Sequence, residues 1–241
     1  MVSAIRKIRK RLLEQNRFNR YIFYAIGEIF LVVIGILIAL QINTWSKENQ
    51  NLKLEKSLLE DFKSDLIIQK ELINEQIDYE IGMMAQIDSV RQFMSPNFKK
   101  ATLPQKLHEL TARRTFKANR ATFNNMIASG SVNLISNASL QNTIIRYFQR
   151  LDYVESVVNN NNLFMVDSNF GEFASNNAMG FQIDKIGKFV DSVEFTNEQR
   201  YLLDMQLRYR NGASKSITAI SEVLLGLTDE LINTIDVELK H

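Results

Sequence analysis

Residues 21–42 read YIFYAIGEIFLVVIGILIALQI, and the interpretation of the whole chain begins from this stretch. Its only charged residue is Glu28, and every position from Ile29 to Leu40 is apolar or glycine. A helix needs about 20 mostly apolar residues to cross a bilayer, and this stretch has that length. The sequence therefore predicts a transmembrane helix at 21–42.

The charges on either side of this span predict its orientation. Residues 1–20 contain seven Lys and Arg residues against one acidic residue, Glu14. Beyond the span the nearest basic residues are Lys47, Lys53 and Lys56. Because an excess of Lys and Arg stays in the cytoplasm, we expect a cytoplasmic N-terminus and residues 46–241 on the opposite side.

The residues on either side of the span predict that the protein contacts membrane lipid. Ile5, Ile8 and Leu12 recur at helical spacing within the basic segment, as in an amphipathic helix on an anionic membrane surface. A nucleic-acid-binding arm is disfavoured because the basic run adjoins the span, and a cleaved signal peptide is disfavoured because no A-x-A site follows. The predicted membrane-interface residues are Arg17, Arg20, Tyr21, Tyr24 and Trp45.

The composition predicts an all-α fold. Two prolines and nine glycines are few for 241 residues, and no cysteine is present, which excludes disulfides and Cys-based zinc sites. After Trp45, Phe62, Ile73 and Met84 are spaced by eleven residues, which predicts a nearly straight apolar stripe on a helix over about 44–94. That stripe needs a partner, either helices of the same chain or a self-associating coiled coil.

The C-terminal half contains further helix signals. Gly130 is suited to end a short helix over 121–129, Ser136 or Asn137 to cap the next, and Thr196 with Gln199 to form a capping box. Asn211-Gly212 predicts a break. Residues 174–195 predict a loop with one short helix, and the last helix is expected to pack antiparallel to the long one. Two apolar helix stripes are predicted: Leu140, Ile144, Phe148, Leu151, Val154 and Val158, and then Ile217, Ile220, Leu224, Leu227, Leu231 and Ile235.

The predicted organisation is a single N-terminal transmembrane helix leading into a long helix and an antiparallel helical bundle. Its segments are a basic cytoplasmic or interfacial part at 1–20, the span at 21–42, a long extracytoplasmic helix at 43–95, and a helical domain at 96–241 that packs back on it.

A basic cluster in the middle of the chain has two interpretations. Arg113, Arg114, Lys117 and Arg120 lie close to Phe116 in sequence. They form either an anion or partner patch or a solvated loop that its aromatic residues anchor to the bundle.

No catalytic or cofactor motif is found. His108 has no second ligand at metal-binding spacing, His241 is terminal, and phosphate-binding and dinucleotide-binding glycine motifs are absent. The carboxylates of the long helix, Glu80 among them, alternate with lysines as on a solvated face. We therefore expect no enzyme activity, no cofactor and no metal.

Glu28 is the unusual residue of the span. A charged side chain near the middle of a membrane helix costs about 2.5–3.5 kcal/mol on insertion scales, so it favours a position facing protein. At 3.6 residues per turn Glu28 shares one face with Gly35 and Ala39, a small-xxx-small pair that permits close helix approach. This face predicts association with a second copy or with another membrane protein.

Two segments carry a resemblance to a known family. They are AIGEIFLVVIGILIALQINTW (Ala25–Trp45) and ATFNNMIASGSVNLISNASLQNTIIRYFQRLDYVE (Ala121–Glu155). In both, the chain resembles a family of uncharacterised, single-span membrane proteins of Gram-negative bacteria with a basic N-terminus and a helical C-terminal region. Nothing after about Leu163 carries the resemblance. It implies the bacterial inner membrane and a periplasmic C-terminal domain, and it implies no activity.

Three functional hypotheses remain open at this point. The first is a non-enzymatic scaffold or interaction protein that assembles through its transmembrane helix. The alternative is a proton-carrying subunit of an envelope motor-like complex, in which Glu28 carries the proton. The third is an extracytoplasmic sensor, because helical bundles bind small ligands between their helices.

Overall fold

The computed structural model describes residues 18–93, 103–176 and 196–240. Within these ranges the chain forms helices and no strands, so the prediction of an all-α fold is confirmed. The elements are α1 (Phe18–Phe93), α2 (Leu103–Glu109), α3 (Ala121–Ser129), a 3₁₀ turn (Ser131–Leu134), α4 (Ala138–Asn161), a π-helix (Asn162–Gly171), α5 (Glu172–Asn176) and α6 (Asn197–Glu238).

The chain divides into two compact units, residues 1–55 and residues 56–241, which we call the N-terminal and C-terminal units. α1 contributes to both, because no proline interrupts it before Pro96. In the N-terminal unit the large apolar side chains from Ile22 to Leu54 are exposed, with Phe23 at 76% and Leu31 at 74%. α1 is the one described helix that is long and apolar enough to cross a membrane.

The C-terminal unit is an antiparallel bundle, as predicted. Along α1 and α6 the contacts run in opposite directions, from Lys63–Asp236 (2.5 Å) to Arg91–Asp204 (3.0 Å). α4 is also antiparallel to α6, as two hydrogen bonds together show. In the first, the Tyr147 and Thr228 hydroxyls hydrogen-bond at 2.9 Å. A second hydrogen bond, in which Asn137 Nδ2 donates to Glu238 Oε2 at 2.8 Å, joins the beginning of α4 to the end of α6.

The buried positions of α1 and α6 alternate in steps of three and four residues, which is the heptad spacing of helices that pack side by side. The expected eleven-residue stripe is wrong at its end, since Met83 is buried where Met84 was expected. The heptads were missed because several buried positions are polar. The buried heptad positions of the C-terminal unit are Leu59, Phe62, Leu66, Gln69, Ile73, Gln76, Glu80, Met83, Ile87 and Val90 on α1, and Leu203, Leu207, Arg210, Ser214, Ile217, Ser221, Leu224, Thr228, Leu231 and Ile235 on α6. Ile77 of α1 is also buried, outside this spacing.

The helix ends follow the predicted signals, with one exception. Gly130 ends α3 at φ 71°, Asn137 caps α4 by accepting from the Ser139 and Leu140 amides, and Thr196 and Gln199 form the capping box of α6. The predicted break at Asn211-Gly212 is wrong, because α6 continues through it. Burial of the apolar Leu207 and Ile217 on either side of the pair outweighs its low helix propensity.

The apolar stripe of α4 is buried as predicted, and that of α6 only in part. All six predicted α4 positions from Leu140 to Val158 lie in the core. On α6, Ile217, Leu224, Leu231 and Ile235 are buried, whereas Ile220 is half-buried and Leu227 is exposed. The difference arises because Ser221 and Thr228, rather than Ile220 and Leu227, occupy heptad positions.

Candidate functional site

The predicted transmembrane face lies on the N-terminal part of α1. Gly35 and Ala39 are exposed and Glu28 is half-buried. A Cβ added at Gly35 would meet no atom within 4 Å, so this side of the helix leaves room for the close approach of another helix.

The predicted membrane-interface residues are placed only in part. Tyr24 and Trp45 are exposed on α1, at 36% and 65%. Arg20 and Tyr21 belong to α1, but their side chains lie outside the described part of the structure, as does Arg17 altogether.

The basic cluster is drawn into ion pairs within the C-terminal unit. Arg113 pairs with Asp167 and Arg114 with Glu75. Arg120 pairs with both Asp152 and Glu155 at 2.5 Å. Lys117 is exposed. These contacts favour the interpretation of a loop held to the bundle, and the partner patch stays a prediction.

A polar layer that sequence reasoning missed interrupts the core of the C-terminal unit. It consists of Gln76, Glu80, Asn162, Arg210 and Ser214, all of them buried. The layer separates two hydrophobic clusters. One contains Ile73 and Ile77 of α1, Val158 of α4 and Ile217 of α6, and the other contains Met83 and Ile87 of α1, Phe170 of the π-helix, and Leu203 and Leu207 of α6.

Arg210 is the central residue of this polar layer, with a side chain only 5% exposed. Its Nη2 donates to the Ala112 carbonyl at 2.6 Å and lies 3.4 Å from the Met83 sulfur, while its guanidinium stands 5.9 Å from the Phe170 ring centroid. Nε and Nη1 are buried and have no hydrogen-bond partner among the described residues. The Tyr79 hydroxyl is a close neighbour that does not reach hydrogen-bond geometry.

Glu80 lies in the same layer, and the prediction that it belongs to a solvated face is wrong, because it is 4% exposed. Gln76 Nε2 donates to its carboxylate at 2.8 Å. Burial raises the pKa of Glu80, and the hydrogen bond from Ser214, the charge of Arg210 and the hydrogen bond from Gln76 act in the opposite direction. Among the described residues Glu80 forms no ion pair with Arg210, although the two charges influence each other.

Asparagine side chains hold the loop between α2 and α3 against the bundle. Asn162 Nδ2 donates to the Arg114 carbonyl at 2.7 Å. Asn159 binds Phe116 twice, accepting from its amide at 3.3 Å and donating to its carbonyl at 3.0 Å. The run from Asn159 to Asn162 therefore supplies hydrogen-bond partners to backbone groups of the loop. α4 passes directly into the π-helix at this run, and π-helices occur frequently at functional sites.

Two hollows adjoin the polar layer. A cavity of about 20 Å³ is bordered by Tyr79, Glu80, Asn162, Arg210 and Ser214. A larger, open cleft of about 280 Å³ is bordered by Asp78, Tyr79, Gly82, Met83 and Glu109. Among the described residues no group of three or more His, Cys, Asp or Glu side chains is arranged to hold a metal ion.

The sequence contains a signal for the separate positions of Glu80 and Arg210, although none for their meeting in one layer. Glu80 lies between Ile73 and Ile87, seven residues from each, and Arg210 likewise lies seven residues from Leu203 and Ile217. A charged residue at such a position in an otherwise apolar heptad is the available signal.

Fold and sites together define an all-helical protein with one candidate membrane-spanning helix and a heptad-packed bundle crossed by a buried polar layer. The chain belongs to the family of unknown function DUF6090, which matches residues 28–198. The prediction of an uncharacterised family is thereby confirmed, and the match extends well beyond Leu163. Comparison with curated proteins and with solved structures gives no significant match.

Proposed function

We propose that the protein is a non-enzymatic interaction protein, anchored in the inner membrane of a Gram-negative bacterium by a single span, that presents its helical C-terminal unit to the periplasm. The observation that carries this proposal is the exposure of the apolar side chains of α1 from Ile22 to Ile42. Such a surface is compatible with lipid and incompatible with water, since monomeric soluble proteins rarely expose large contiguous apolar patches.

The charge distribution supports the proposed orientation. Seven Lys and Arg residues precede the span, which is the pattern of a cytoplasmic end. The C-terminal unit has two buried hydrophobic clusters and pairs the arginines of its basic loop with internal carboxylates, as expected of a folded domain in an aqueous compartment.

The chain offers a direct test of topology, because it contains no cysteine. Single cysteines at Ser3 and at the exposed Glu222 are treated in intact spheroplasts with a membrane-impermeant maleimide. We expect Glu222→Cys to be labelled at once and Ser3→Cys only after permeabilisation. Labelling of Ser3→Cys alone in intact spheroplasts would show the opposite orientation. Labelling of both variants would contradict a membrane-spanning helix between the two positions.

The proposed association of the span is supported by the shared face of Glu28, Gly35 and Ala39. Oxidative crosslinking of Ala39→Cys tests for a second copy at this face, with Leu37→Cys on the opposite face as the matched control. We expect disulfide-linked dimers of Ala39→Cys alone, and their loss when Gly35→Ile is added. Equal crosslinking at both positions would show random collision.

If the span associates with a different membrane protein, crosslinking should give a product that contains that protein. To detect it, the same preparation is treated with a bifunctional reagent and the products are identified by mass spectrometry. Recovery of monomer alone, with neither dimer nor heterologous product, would contradict the association proposal.

A second candidate function follows from Glu28, the one carboxylate within the apolar stretch. If the protein couples proton movement to work in a larger complex, Glu28→Gln leaves assembly intact and abolishes activity. If Glu28 serves association, the same variant dissociates the complex. Quantifying crosslinked species in Glu28→Gln membranes separates these two roles.

A further inference from the structure

Within the described part of the chain, no carboxylate forms an ion pair with the buried guanidinium of Arg210. Its side chain is only 5% exposed, and its hydrogen bonds to the described residues, the Ala112 carbonyl and the Met83 sulfur, are to neutral groups. An arginine stays charged at any physiological pH, and a buried charge without a paired partner is strongly unfavourable. Nε and Nη1, which have no partner among the described residues, are therefore free to bind an anion.

The cavity beside Arg210 limits what that anion can be. About 20 Å³ accommodates one ligand the size of a water molecule and excludes sulfate, phosphate and organic carboxylates. The other polar residues that border it include Asn162 and Ser214. A monatomic halide is the anion that matches this combination of size, hydrogen-bond donors and positive charge.

We propose that the cavity between α1, the π-helix and α6 binds a single chloride ion, held by Nε and Nη1 of Arg210. The ion neutralises the buried guanidinium and joins the three helices at the point where the two hydrophobic clusters are separated. This site is independent of the membrane topology and of the association of the span.

Glu80 makes chloride binding dependent on pH. Its carboxylate borders the same cavity and repels an anion while ionised. The groups that face Glu80 are Gln76 and Tyr79 from its own helix, Arg210 and Ser214 from α6, and Asn161 and Asn162 from the end of α4 and the start of the π-helix. Of these groups only Arg210 carries a charge. Protonation of Glu80 therefore removes the one negative charge among the described residues that border the cavity, and chloride binds more tightly as pH falls.

Thermal unfolding of the full chain in detergent tests the site. Sodium chloride is compared with sodium gluconate at equal ionic strength, and sodium bromide and sodium sulfate serve as size probes. We expect chloride and bromide to raise the unfolding midpoint by about 2–4 °C over gluconate in a saturable manner, with a larger shift at pH 5 than at pH 7, and sulfate to have no specific effect.

Two variants assign the effect to this cavity. Arg210→Gln should lose the chloride shift, whereas Arg208→Gln, an exposed arginine on the same helix, should keep it. Glu80→Gln should keep the shift at both pH values and lose its pH dependence. If Arg210→Gln does not fold, the pH dependence of the chloride shift in Glu80→Gln still tests whether the ion binds in this cavity.

Equal midpoints in chloride and gluconate for the unmodified protein would show that the cavity holds only water and would overturn the proposal. A chloride shift that persists in Arg210→Gln would place the ion elsewhere and overturn it as well. A Glu80→Gln variant whose chloride shift still varies with pH would contradict the role given to Glu80.

Discussion

The two parts of α1 use apolar residues in opposite ways. From Ile22 to Ile42 apolar side chains surround the helix and are exposed, whereas from Leu59 to Val90 burial follows a heptad and the rest of the helix surface is mainly polar. A helix that is apolar on all sides suits lipid, and one with a single stripe suits a bundle in water. One continuous helix thus shows both patterns. They are the reason for proposing lipid around the first part and water around the second.

The largest expected effect comes from truncating the heptad core. Phe62 is fully buried, and its ring centroid lies 5.8 Å from that of Phe148. Phe62→Ala should lower the free energy of unfolding of the C-terminal unit by about 3–5 kcal/mol, because it removes a large buried side chain and leaves a cavity. Urea denaturation in detergent, followed by far-UV circular dichroism, measures the change.

The matched control is Phe23→Ala in the exposed apolar part of α1, which should change that free energy by less than about 0.5 kcal/mol. A decrease in the free energy of unfolding as large as that of Phe62→Ala would contradict the distinction between an exposed and a buried part of the helix.

The next effect concerns the asparagines that hold the loop. Asn162→Ala leaves the Arg114 carbonyl without its donor and should destabilise the C-terminal unit by about 1–3 kcal/mol. The exposed neighbour Asn160, whose Nδ2 donates to Ser156 Oγ at 3.2 Å, provides the control. Hydrogen exchange of the amides at 111–120 should accelerate in Asn162→Ala and stay unchanged in Asn160→Ala; acceleration in both would assign the effect to helix propensity instead.

A smaller effect is expected for the pH dependence of stability. Burial raises the pKa of Glu80 above its usual value of 4.5, so the native state binds its proton more readily than the unfolded state does. Glu80 therefore makes stability fall as pH rises from 4.5 through its native pKa, and Glu80→Gln should reduce this decline and make the protein more stable at pH 7. Unfolding midpoints between pH 4 and pH 8 measure it, and a variant less stable at pH 7 would contradict it.

The smallest effect is expected at the surface of the bundle. Lys70 and Asp229 pair at 2.6 Å with both side chains over 40% exposed. A double-mutant cycle with Lys70→Ala and Asp229→Ala should give a coupling of about 0.2–1 kcal/mol that declines in high salt. A coupling above about 2 kcal/mol, insensitive to salt, would indicate that this pair is more deeply desolvated than its exposure suggests.

The sequence predicts most of the fold because its signals are local. Gly130, Asn137 and the Thr196–Gln199 capping box act within a few residues, so their positions determine helix ends directly. The predicted break at Asn211-Gly212 was wrong because propensity differences of about 1 kcal/mol are smaller than the gain from burying Leu207 and Ile217 on either side. The last helix was also placed correctly against the long one, since both have apolar stripes that water disfavours.

The candidate sites could be predicted from the sequence less completely than the fold. Glu28, Gly35 and Ala39 could be grouped from the sequence because one helix brings them to one face. The grouping of Glu80, Asn162 and Arg210 could not, because these residues are far apart in sequence and meet only when three helices pack.

By itself the sequence determined the helical class, the apolar stretch at 21–42 and the helix ends of the bundle, because periodicity and capping depend on neighbouring residues. Only the tertiary structure decided that Glu80 is buried instead of solvated, that the basic loop is paired internally, and that Arg210 borders a cavity. The physical reason is that a charged residue on a helix has the same local pattern whether its face meets water or another helix. The difference is the desolvation that packing imposes.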